Sequence, residues 1–211
     1  MRCPRGRSAS PQPAPAAGGG RPPFGGCGCV LRCGGRLPAR PPSFPPGSRA
    51  PCVFAPLAHL GWSACWLGTA AGALSRTLRL LRSPEERRRR DLKSELLLTR
   101  LSRARQRIDT VQAMLSHATG VYVSLPDRER GGAPWQLLVN ALKVTASEQC
   151  PAAVDELIEL VGLRHGYLRH QPLGLERALR DLRSASLNYG NDRLHLANGS
   201  LSLLDQETTL A

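Results

Sequence analysis

Between Leu97 and Ala118 the apolar residues Leu97, Leu101, Ala104, Ile108, Val111, Leu115 and Ala118 recur at alternating steps of four and three. The charged residues Arg100, Arg103, Arg105, Arg107 and Asp109 all miss that stripe. Heptad spacing of this kind predicts a helix with coiled-coil character, gripping a neighbour along those seven positions. Two of them are Ala and bury little surface, so a hetero-complex with other helical proteins is expected over a lone homodimer. Upstream, Ser83, Pro84 and Glu86 read as N-cap, N1 and N3 of a capping box. With no Gly or Pro until Gly120, one helix of about 35 residues is predicted from these caps.

Further amphipathic segments follow. Pro134 opens one carrying Trp135, Leu138, Val139, Ala141 and Leu142, and Cys150-Pro151 is expected to break the chain. A third helix carries Val154, Leu157, Ile158 and Val161 and stops near Gly162. A fourth starts at Pro172, bears Leu175, Leu179 and Leu182, and stops at Asn188 to Gly190. In "RLHLANGSLSLL", Asn198-Gly199 divides two alternating runs, the pattern of a β-hairpin. The fold class predicted is all-α: a long helix packed with or beside a small helical bundle, with a C-terminal hairpin and a disordered N-terminal leader.

Residues 53–74 add a run without formal charge, long enough to span a bilayer but interrupted by Pro56, His59 and three glycines. It makes a marginal membrane candidate. Four regions result: a Pro/Gly/Arg-rich leader over 1–52, the apolar small-residue segment and basic linker over 53–82, a helical region over 83–190, and a hairpin or frayed tail over 191–211.

Charge changes the picture in one respect. The net charge is +13, and residues 1–84 alone hold eleven Arg and no Lys, Asp or Glu. The basic excess therefore belongs to the leader, not to a folded face, which weakens a whole-domain nucleic-acid footprint. Arg87, Arg88, Arg89 and Arg90 remain the candidate anion or import patch, although Glu85 and Glu86 stand one turn away from Arg89 and Arg90.

Chemistry is sparse. Six of the seven cysteines lie at or before Cys65, and "CGCVLRC" lacks the second pair of a zinc site. Cys150 reads as a small buried apolar residue. His165 and His170, five apart, do not share a helix face. No G-x-S-x-G, H-E-x-x-H or P-loop pattern occurs, and no catalytic residue, cofactor or metal is assigned. The sequence points to a non-catalytic helical subunit or adaptor, intracellular, in the cytoplasm or nucleus. Two alternatives stand beside it: a nuclear factor touching nucleic-acid phosphates through Arg87 to Arg90, and a mitochondrial or membrane-anchored protein held by residues 53–74 with its C-terminal region in the cytosol.

Overall fold

A computed structural model of the chain describes residues 50–126 and 129–203, and among these every regular element is helical. The leader up to residue 49, with Cys3, Cys27, Cys29 and Cys33, lies outside the described residues, as does the tail from residue 204. The helices are α1 (Ala50–Leu81), α2 (Pro84–Arg89), α3 (Glu95–Ser124), α4 (Ala133–Val161), α5 (Leu175–Arg183) and α6 (Asn191–Ser202), with a single π-helical turn at Leu163–Tyr167.

Residues 53–74 fall within α1. Its buried side chains Leu67, Ala70, Ala73, Leu74 and Leu81 form a stripe of mostly short residues, which lets α3 and α4 approach closely. Ala70 and Ala73 of the candidate span are thus contact surface of a bundle helix, whereas Gly61 and Gly68 are exposed. No helix among the described residues is long and apolar enough to cross a membrane.

The predicted 35-residue helix is two helices. Ser83 Oγ does accept from the Glu86 amide, at 3.3 Å, but the Glu86 carboxylate takes the Arg90 guanidinium at 2.6 Å instead of closing the box. Arg90 is extended, at φ −124° and ψ 138°, because its side chain reaches the last carbonyls of α4. It donates to Leu160 O at 2.9 Å and Val161 O at 2.6 Å. These are orphan acceptors of a helix end, and satisfying them turns the chain before α3 starts. Helix α3 then runs through Gly120 to Ser124.

Helix α4 continues through Cys150-Pro151, where a break was expected. A mid-helix proline removes one backbone hydrogen bond and costs about 3 kcal/mol. Here Cys150, Ala153, Val154 and Leu157 are fully enclosed on one continuous face, and their burial outweighs that loss. After α4, Gly162 at φ +76° takes the left-handed conformation that favours glycine. A Cβ on Gly166 would lie 2.9 Å from the Ile158 carbonyl, so the π-helical turn closes tightly onto α4.

The predicted hairpin is helix α6. Asn198 is not a turn residue; its Oδ1 accepts from Asn140 Nδ2 of α4 at 2.9 Å. Leu194 is buried, whereas Leu196 and Leu203 face solvent. Period two and period 3.6 both fit so short an apolar pattern, and docking on α4 decides between them. Of the described elements, α6 packs on α4 alone.

Candidate functional site

The seven stripe positions of α3 are occupied from within the chain. Ala104, Ile108, Val111 and Ala118 are buried, and Leu97, Leu101 and Leu115 pack at the edges of the same cores. Their neighbours are α1 and α4. The heptad spacing therefore reports the bundle's own interior.

The four arginines do not form one patch. Arg87 and Arg88 are exposed. Arg89 meets Glu85 at 3.4 Å, and Arg90 is locked onto Glu86 and the end of α4. The structure instead joins this segment to the π-helical turn. Glu86, Arg89, Arg90, Val161, Gly162, Leu163, Arg164 and His165 line a groove of about 400 Å³. The Glu86 side chain is only 3% exposed, with His165 Nε2 3.3 Å from its Oε1. Burial alone would raise its carboxyl pKa, but the hydrogen bond and charge of Arg90, with His165 and Arg89 nearby, hold it below the ordinary range. Arg89 and Arg164 share one Glu85 oxygen at 3.4 and 3.8 Å, so both guanidinium groups stay available to an anion in the groove. A neighbouring groove of about 320 Å³ lies between Arg90, Leu97, Arg100 and Glu159.

A second polar cluster lies where α1, α4 and the start of α6 meet, and sequence reasoning missed it. Lys143 is fully buried. Its Nζ donates to Tyr189 O at 3.1 Å and Asn191 Oδ1 at 2.8 Å, and it stands 5.8 Å from the centre of the Trp66 ring. Desolvation lowers its pKa, against the pull of Glu148. His59 is 3% exposed, and its ring nitrogens make no hydrogen bond of full geometry, the Asn140 side chain being a weak partner. Burial first, and then the Lys143 charge, lower its pKa to about 4, opposed weakly by the Asn140 side chain. Trp62 lies 5.7 Å from the His59 ring, Tyr189 lies 5.2 Å away edge-on, and Trp62 stacks on Trp66. Tyr189 holds this place with φ +54°, a left-handed conformation that is costly for a bulky residue. The available signal was Lys143 itself, a cation set among Val139, Leu142, Val144 and Ala146 on a mostly buried helix.

Cys150 is buried and its thiol is pushed up to about 12 by burial, so it is inert packing in the folded chain.

Residues 57–203 match the family model described as acyl-CoA dehydrogenase, C-terminal domain. That span runs from α1 to the end of α6 and covers more than half of the chain. The chain belongs to the acyl-CoA dehydrogenase family. No curated protein matches it. Family membership corrects the functional expectation: the helical bundle is a domain of an enzyme family, not an adaptor, and the stripe on α3 is part of that domain's core. Of the four arginines expected to touch nucleic-acid phosphates, Arg90 is engaged inside the fold. The segment expected as a membrane candidate is a packed helix within the family domain.

Proposed function

We propose that the chain is the helical domain of an acyl-CoA dehydrogenase-type oxidoreductase and that it acts on an acyl thioester of coenzyme A. The family match over the whole bundle carries this reading. Removing two hydrogens from an acyl chain sends two electrons to a redox cofactor, a flavin or a nicotinamide dinucleotide, which supplies that chemistry when bound. In their dinucleotide forms both, like coenzyme A itself, carry a pyrophosphate.

The groove beside α2 fits such a group by the chemistry of its donors. Arg89 and Arg164 present guanidinium forks loosely tethered to Glu85, suited to bidentate contact with phosphate oxygens. Arg90 fixes the groove wall by tying α2 to α4, and Glu86 keeps Arg90 in place from below. His165 lies beside Glu86 on the groove lining.

Exposed Leu163, Tyr167 and Leu168 beside the groove offer apolar contact to further helical chains or domains. We place these partners in a hetero-complex that completes the catalytic centre. The setting we infer is intracellular, where the free thiols Cys65 and Cys150 stay reduced.

The test uses the full chain purified with whatever copurifies. It should carry a bound redox chromophore, and added acyl-CoA should bleach it or reduce an artificial electron acceptor. Arg89→Glu with Arg164→Glu should remove the chromophore or raise the KM for acyl-CoA about tenfold or more, the effect of losing charge-assisted contacts. A preparation that neither binds nor oxidises any acyl-CoA would refute the reading.

A further inference from the structure

The chain meets its need for positive charge almost wholly with arginine. Of its 29 Lys and Arg side chains, only Lys93 and Lys143 are lysines. Lys93 is exposed, whereas Lys143 is fully buried. A guanidinium does not give up its proton in a protein, and an amine does. At Lys143 the fold therefore encloses a group that can become a nucleophile.

Its surroundings suit the deprotonated form. An ammonium carries three N–H donors; a neutral amine has two, and a lone pair. Two acceptors meet Nζ, the Tyr189 carbonyl at 3.1 Å and Asn191 Oδ1 at 2.8 Å, and the Trp66 ring stands beyond them, 5.8 Å away at its centre. Asn191 Oδ1 is shared with Ser147 Oγ at 3.1 Å. Among the described residues no carboxylate stands within 4.0 Å of the amine; Glu148 accepts from Asn191 Nδ2 instead, at 3.1 Å. Desolvation lowers the pKa of the amine, outweighing the pull of Glu148.

Only one layer of chain covers this place. Tyr189 is 51% exposed and Asn191 is half-buried, and these two supply both acceptors to the amine. Their turn holds Tyr189 at φ +54°, a conformation that stores strain, and α6 behind it rests on α4 alone. Displacing the turn opens Nζ beside half-buried Trp62 and Trp66, whose rings are stacked.

We propose that Lys143 is a covalent binding site for an aldehyde with a small apolar body, held as an imine on Nζ. The proposal is independent of the acyl-CoA reading. The ammonium first gives its proton to solvent. The nitrogen lone pair then forms a C–N bond to the carbonyl carbon, and the carbonyl oxygen takes both remaining amine hydrogens and leaves as water. The reverse sequence releases the aldehyde, and no electron donor or acceptor takes part. A lysine desolvated among apolar side chains is the type that performs this step.

The probe is butanal with cyanoborohydride, whose hydride reduces an imine to a stable secondary amine, added to the full chain at pH 7. Peptide mass spectrometry then compares Lys143 with Lys93 in the same tube. Lys143 should be alkylated about tenfold or more faster, the advantage of a desolvated amine over a solvated one. In urea, which exposes both lysines, the difference should disappear. Lys143→Arg should keep the helical circular-dichroism signal and lose the fast adduct while Lys93 still reacts.

A lysine that serves only to hold α6 is protected by its burial, so alkylation of Lys93 ahead of Lys143 overturns the proposal. Equal rates at the two lysines overturn it as well. So does a preference for Lys143 that persists in urea, because it would then arise from neighbouring residues in the chain and not from the fold. None of these outcomes bears on the acyl-CoA reading.

Discussion

At the scale of single residues, His59 couples the fold to pH. Its folded pKa of about 4 lies below the ordinary value of 6.5, so the unfolded chain binds the proton more tightly. The stabilisation from keeping it neutral is therefore complete above pH 6.5, declines as pH falls, and is lost below about 4. The depression corresponds to about 3 kcal/mol at 1.36 kcal/mol per unit. Urea midpoints measured from pH 7 to 4 should fall along this window in the wild type. In His59→Leu the decline over this window should be much shallower, since Glu86 contributes its loss below it. That carboxyl, with its pKa held low, loses its contribution only as pH drops below the ordinary glutamate range. His59 and Lys143 were readable in the sequence only as polar residues inside apolar runs. Which of them would be buried, and against what, depended on contacts with Tyr189 and Asn191 more than forty residues downstream, beyond the reach of local periodicity.

At the scale of elements, the stripe on α3 was the clearest feature of the sequence, and its positions do face inward. Periodicity reports that a face is covered; it does not distinguish a partner from the chain's own α1 and α4. Ile108→Asp should therefore destabilise the isolated chain by about 3 kcal/mol or more, the cost of an unpaired buried charge, as read from a shift in the urea midpoint. A fall in oligomer mass at unchanged stability would contradict this packing. The errors elsewhere have the same origin. Arg90 ended a helix that local caps favoured, by reaching Leu160 and Val161, and burial of Cys150, Ala153 and Val154 carried α4 across Pro151. Helix α6, packed only on α4 and showing Leu196 and Leu203 to solvent, should be the first helix to open. Its amides should exchange with deuterium well before those of α4, and Asn191→Ala should accelerate that exchange without affecting α3.

At the scale of the whole molecule, the six α-helices of the described residues divide into an apolar frame of α1, α3 and α4 and two polar clusters at its margins. One lies at the α2–α4 junction and the other under the start of α6. All-helical architecture followed from amphipathic segments and caps, and it survived the loss of the hairpin. Membership of an enzyme family did not follow, because neither cluster is a contiguous motif: each joins segments about 50 to 130 residues apart. The clasp of Arg90 on α4 also has a consequence in time. Its hydrogen bonds close loops of 70 and 71 residues, so they can form only after α4 is complete and docked, late on the folding path. Arg90→Ala should leave the refolding rate near that of the wild type and speed unfolding, giving a φ-value close to zero in stopped-flow chevrons. The residue that ends α2 would then govern how long the native state lasts, not how quickly it is reached.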